Sequence, residues 1–167
     1  MGGFGLMTAV WALLALFLVG LAFRSWRLRA GAQSAKMPKP ASVPAQVQGI
    51  RFERLHYVGT VFRDSPLQRV VSYGLGMRGR CDLVLAREGI ALFRKGETEF
   101  LIPRNDLVAV ASESSALGKA VEADGLRLVE WQLGDKVVTT VLRFTSRADQ
   151  RDFDIAVADF FSKEESK

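Results

Sequence analysis

The hydrophobic pattern divides the chain into three stretches. Phe4 to Phe23 (FGLMTAVWALLALFLVGLAF) is 20 residues without a charged side chain. A helix over it spans roughly 30 Å, about the hydrocarbon thickness of a bilayer. Arg24, Arg27 and Arg29 follow at once, with Trp26 among them at interfacial depth. A cleaved signal peptide fits less well. No Lys or Arg precedes the run, it exceeds the roughly 7 to 15 residues of a signal core, and Leu21-Ala22-Phe23 is not a small-x-small cleavage site. The expectation is an uncleaved single-pass transmembrane anchor with its basic flank over 1–29; a buried core helix is the weaker alternative. Ala30 to Gly49 then holds three of the five prolines and no apolar periodicity, the composition of an extended linker.

From residue 50 short apolar runs alternate with turn residues. Leu55 to Phe62, Cys81 to Ala86, Ile90 to Arg94, Thr98 to Ile102, Leu107 to Ala111, Leu126 to Leu133 and Lys136 to Phe144 read as seven strands. Arg87-Glu88-Gly89 and Gly134-Asp135 read as hairpin turns. In the last strand Val138, Thr140, Leu142 and Phe144 share one face by period two. Two helices are expected. Ser146 with Asp149 three residues on opens one, and Phe153, Val157, Phe160 and Phe161 make its apolar strip to about Ser162. Ser65-Pro66-Leu67-Gln68 reads as the start of the other, with Leu67, Val70 and Val71 as its apolar face and Gly74 as its stop. The domain is placed at 50–163, with 164–167 a charged tail.

Charge changes the picture next. Residues 24 to 49 carry five basic side chains and no acid; residues 50 to 167 carry 18 of each sign. The net +5 therefore sits beside the apolar run. A basic pI ordinarily prompts a nucleic-acid reading, but here its source is a positive-inside signal. The domain is expected to face the cytoplasm from the plasma membrane, with the N-terminus outside and no nucleic-acid partner. Cys81 is the one cysteine, so no intramolecular disulfide forms and no Cys/His cluster offers a zinc site. No metal or cofactor is expected.

Seven strands closed by one C-terminal amphipathic helix is the order of the pleckstrin-homology (PH) superfold. Tyr57-Val58-Gly59-Thr60, Tyr73 to Arg80 (YGLGMRGR), Phe100-Leu101-Ile102-Pro103 and Leu126 to Asp135 with its Trp131-Gln132-Leu133-Gly134-Asp135 add weight. Over most of 55–162 the chain resembles a family of actinobacterial membrane-anchored PH-like proteins without an assigned activity, sometimes labelled transporters or export proteins. The resemblance implies a mainly β fold, a seven-stranded bent sheet or partly open barrel plugged by the helix. The transporter label does not carry over, because one spanning helix makes no transport pathway.

In a PH-like fold the connection between the first two strands commonly binds phosphorylated headgroups. Here it carries Arg63, Arg69, Arg78 and Arg80, with Asp64 the acid among them. Guanidinium groups suit bidentate phosphate contacts; solvated surface charge is the plainer reading. Gly74-Leu75-Gly76-Met77-Arg78-Gly79 matches a dinucleotide fingerprint, but no helix is expected to follow it. His56 reads as a structural or surface histidine, Cys81 as a buried small hydrophobe and Trp131 as core or edge packing rather than part of a peptide groove. Glu122, Asp124 and Asp135 have no base or metal partner. No catalytic motif stands out. The expected role is non-enzymatic: a single-pass, cytoplasmic module that recruits or scaffolds a protein partner at the membrane. Anionic lipid binding through Arg63 to Arg80, or service as an accessory subunit of a membrane complex, is the alternative.

Overall fold

The computed structural model describes residues 3–34, 37–112 and 126–162; in the first helix side chains are described at 7–8, 10–25 and 27–28. Helix α1 (Gly3–Ser34) is followed by β1 (Gly49–Phe62), β2 (Ser65–Arg69), β3 (Gly79–Ala86), β4 (Gly89–Arg94), β5 (Phe100–Pro103), β6 (Leu107–Ser112), β7 (Leu126–Leu133), β8 (Lys136–Arg143) and helix α2 (Arg147–Ser162). All strands belong to one antiparallel sheet in the order β5-β4-β3-β1-β8-β7-β6, with β2 off this path against β1. The sheet is open: β5 and β6 end the path.

The bend comes from β1. Its first half pairs with β3 and its second half with β8, the two ladders meeting at His56 and Tyr57. The register shifts between Phe52 and Leu55, between Tyr57 and Gly59, and between Val61 and Phe62. Such bulges raise the local twist and bend a strand. Gly59 sits at φ 143 and Arg54 at φ 60. One long strand thus serves two half-sheets, and their inner faces enclose the core.

Helix α2 closes the opening. Phe153, Val157 and Phe160 are buried, and Phe153 meets Phe52 edge-on at 5.5 Å and Phe144 at 5.0 Å. Its N-terminus is capped as expected, with the Asp149 N–H donating to Ser146 Oγ at 3.2 Å. Cys81, Leu83 and Leu85 point inward together, as do Val129, Trp131 and Leu133, and Val138, Thr140, Leu142 and Phe144. Trp131 stacks on Phe100 at 5.9 Å.

A polar chain crosses this apolar interior. Trp131 Nε1 donates to Thr140 Oγ1 (2.9 Å), Thr140 Oγ1 lies 2.8 Å from Thr60 Oγ1, Thr60 Oγ1 lies 2.5 Å from Tyr57 Oη, and Tyr57 Oη donates to the Leu75 carbonyl (2.8 Å). An indole N–H can only donate and a carbonyl can only accept, so both ends fix the direction. Each hydroxyl accepts from the Trp131 side and donates toward Leu75. Every proton in the chain has an acceptor, which is what makes polar groups tolerable at such depth.

Three expectations need correction. The helix expected over Ser65 to Gly74 is instead β2 and a 3-10 turn over Ser72–Gly74, so the described strands number eight rather than seven. A helix there needs Leu67 and Val70 on one face, but Leu67 is fully exposed while Val70 is fully buried. Pairing of Phe62 with Ser65 and Val61 with Arg69 satisfies the backbone as a hairpin. Gly74 does take a left-handed conformation, φ 69, at the end of the turn.

The linker expected over 30–49 is not a free tether. Helix α1 runs through Ser34, and Met37 is already in the core, its carbonyl accepting from Tyr73 Oη at 3.0 Å. The Ala41 carbonyl accepts from the Leu101 N–H at 2.8 Å, and Val43 and Val47 pack on Val84, Ala86, Ala91 and Leu101. Those four side chains lie on the outer face of β3–β5. The extended, proline-bearing segment keeps water off it.

Among the described residues no helix is long and apolar enough to cross a membrane. From Met7 to Arg24 every described side chain of α1 is exposed, including Trp11, Leu13, Leu16, Phe17 and Val19 at more than 60%.

Candidate functional site

The four arginines expected to bind phosphate divide among three places. Arg63 stands at the β1–β2 turn, its N–H donating to the Val137 carbonyl at 3.2 Å and its Nε 3.4 Å from Glu130 Oε2. Arg69 is half-buried and structural: one guanidinium nitrogen donates to the Gly76 carbonyl at 2.9 Å and reaches the Val58 carbonyl at 3.4 Å. Arg78 and Arg80 are exposed where β3 begins. The fold assigns Arg69 to the backbone and Arg63 to a carboxylate, and leaves Arg78 and Arg80 facing solvent.

The register places other basic residues beside Arg80. His56 on β1 is the direct partner of Arg80 on β3 and, on its other side, of Arg143 on β8. One step further out, the Lys95 N–H donates to the Arg80 carbonyl at 3.0 Å, one residue past the Cys81–Arg94 pair. Lys95, Arg80, His56 and Arg143 are all exposed, while their chain neighbours Arg94, Cys81, Tyr57 and Leu142 are buried. By alternation the four share the outer face in one row across four strands. Sequence reasoning missed His56, Lys95 and Arg143 as a group. Alternation predicts that each points outward, but only strand pairing puts them side by side.

The inner side is built differently. Arg94 is buried, with its guanidinium 4.9 Å from the Tyr57 ring centroid and 5.1 Å from that of Phe100. It donates to the carbonyls of Thr98 (2.7 and 3.0 Å) and Gly74 (2.8 Å). A buried cation held by carbonyl oxygens and two ring faces ties β4 to the Ser72–Gly74 turn. The cleft above it, lined by Lys39, Tyr73 and Glu99, has a volume of about 50 Å³, room for several waters. Cys81 is buried, and its thiol is pushed up to about 12 by burial and by the nearby Asp82 charge. At neutral pH it is an unreactive thiol.

The remaining candidates are placed as follows. Arg24 and Arg27 lie exposed on α1, with Arg27 5.9 Å from the Phe23 ring centroid; the side chains of Trp26 and Arg29 lie outside the described residues. Gly74-Leu75-Gly76-Met77-Arg78-Gly79 follows a 3-10 turn and runs into β3, so no helix N-terminus is available to hold a pyrophosphate. Asp135 sits in the β7–β8 turn; Glu122, Asp124 and the tail 164–167 lie outside the described residues. Among the described residues no group of three or more His, Cys, Asp or Glu side chains is placed to hold a metal ion.

No curated protein and no solved structure matches the chain. The family model described as bacterial PH domain-like matches residues 36–158. It begins at the docked segment before β1 and ends within α2, so it takes in all eight strands. The sheet shared through a bent β1 and closed by a C-terminal helix agrees with it, and the chain belongs to the bacterial PH domain-like family.

Proposed function

We propose that this chain is a membrane-anchored PH-like interaction module that works by binding rather than catalysis and recruits a protein partner at the inner face of the plasma membrane. The observation that carries the anchoring is α1. Its described apolar side chains are exposed on every side, and a helix apolar all round needs a membrane or another apolar surface to cover it. The uncharged run extends to Phe4, giving 20 residues, and basic residues without an acid follow it, which orients the domain to the cytoplasm.

For recruitment the support is the family and the shape. A PH-like domain is an interaction scaffold, and β6 (LVAVAS) ends the sheet as an uncharged strand with Val108 exposed, the kind of edge a partner strand can extend. In-cell crosslinking of the full chain tests this. A specific partner is expected that depends on residues 49–167 and survives exchange of Phe4 to Phe23 for an unrelated spanning helix. Loss of the partner on that exchange would assign the contact to the helix, as in an accessory subunit. No partner at all would sink recruitment. Anionic headgroup binding is the second reading, favoured by the exposure of Arg78 and Arg80.

A further inference from the structure

We infer that the outer face of β3–β5 is a docking groove for an extended, proline-bearing segment of the recruited protein, and that residues 38–48 of this chain occupy it as a displaceable strap. This deepens the recruitment reading above and rests on it, adding the β5 edge to that of β6. Val84, Ala86, Ala91 and Leu101 form an apolar floor, and Val43 and Val47 lie on it four residues apart. The Leu101 N–H points away from β4 and donates to the Ala41 carbonyl in an isolated antiparallel bridge. The next outward position on β5, Pro103, has no N–H. The edge therefore takes a short extended segment, held by one backbone bond and by side chains set on the floor, rather than a full strand.

The strap is fixed at its ends and thinly held between them. Met37 is in the core with its carbonyl bonded to Tyr73, and Gly49 begins β1 so close to the Leu85 carbonyl that a Cβ there would clash. Between these ends, Ala41 makes the one hydrogen bond from 38–48 to the other described residues. Three of the eleven residues are prolines; Pro40 alone is buried, and Val43 and Val47 are half-buried. The seam also holds the cleft of about 50 Å³, lined by Lys39, Pro40 and Ser42 of the strap and by Tyr73, Arg94 and Phe100 of the domain, so the two are not close-packed along it. Lifting the strap bares the apolar floor and leaves the Leu101 N–H without an acceptor. A segment of like chemistry restores both: free of acids, with branched side chains four apart and a proline between them, as in Val43-Pro44-Ala45-Gln46-Val47. Because its ends stay attached, the strap competes from within, and a partner's apparent affinity is scaled by the fraction of chains with the strap lifted.

The test uses the full chain in detergent micelles and a fluorescent peptide of residues 37–48, added in trans and read by anisotropy. Val43→Asp/Val47→Asp in the chain weakens the strap and spares the floor, so this variant is expected to bind the peptide roughly tenfold tighter than the parent does. The same peptide with both valines changed to aspartate is expected to bind neither chain. No binding by the variant, or equal binding of the two peptides, overturns the inference. Hydrogen exchange in the parent reads the opening without a substitution: the Leu101 N–H is expected to exchange faster than the Ile102 N–H, which faces β4. Equal protection means that the strap opens only with the sheet, and overturns the inference even if the aspartate variant fails to fold. Parent dimers that Val43→Asp/Val47→Asp abolishes would assign the groove to a second copy and overturn the foreign partner. Peptide binding as expected with no partner crosslinked in cells would sink recruitment and leave the groove supported.

Discussion

Trp131→Ala is expected to cost the domain about 3–5 kcal/mol, a large part of the roughly 5–15 kcal/mol that holds a domain of this size together. The indole is 1% exposed, stacks on Phe100 and heads the polar chain to Leu75. Truncation opens a cavity between the half-sheets and removes the donor from Thr140. Trp131→Phe separates the two contributions. It keeps most of the packing and loses the N–H, so about 1 kcal/mol is expected. Urea unfolding of the full chain in detergent, followed by circular dichroism, reads both. A Trp131→Ala midpoint like that of the parent, or equal losses in the two variants, contradicts the core described above.

The second large effect is alkaline. Burial raises the Tyr57 hydroxyl to about 12, against the bonds from Thr60 and the Arg94 charge that lower it, and raises the Cys81 thiol to about 12. Both groups are neutral when protonated and both have a folded pKa above the unfolded one. The unfolded chain therefore loses these protons first, and stability falls as pH rises. The contribution is whole below about pH 9 and is lost progressively as pH climbs toward 12. At about 1.4 kcal/mol per pH unit of separation, the two amount to several kcal/mol at the upper end. The urea midpoint is expected to hold from pH 7 to 8.5 and to drop steeply above 9.5. Tyr57→Phe/Cys81→Ala starts lower at neutral pH, because Thr60 loses an acceptor, but declines less with pH. An equally steep decline in this variant assigns the alkaline loss to other groups.

The parts legible in the sequence were those with a strong local signal. The alternation that buries Cys81, Leu83 and Leu85, and the one that puts Val138, Thr140 and Leu142 on a single face, need only period two. The Ser146 cap and the strip of Phe153, Val157 and Phe160 need only helical spacing. Ser65 to Gly74 misled because Ser-Pro at its start carries a helix-opening signature, while its true structure depends on a distant event, the bending of β1. The proline-rich stretch misled for a related reason. Composition says that 30–49 has no periodicity, but not that the outer face of β3–β5 offers Val84, Ala91 and Leu101 for Val43 and Val47 to cover.

The candidate site was half legible for the same reason. Arg78 and Arg80 are close in sequence, so their charge is visible as a local excess. Arg69 looks identical there, and only the carbonyls of Gly76 and Val58 show that it is committed. Lys95, His56 and Arg143 come together through three strand pairings, information that no single stretch of sequence contains.

The most direct test of the central claim is the topology of the full chain in intact cells and inverted membrane vesicles. The account predicts that the chain stays in the pellet after alkaline carbonate, and that a protease digests the domain in inverted vesicles but not from outside the cell. Release by carbonate, or digestion of the domain from outside, would contradict it.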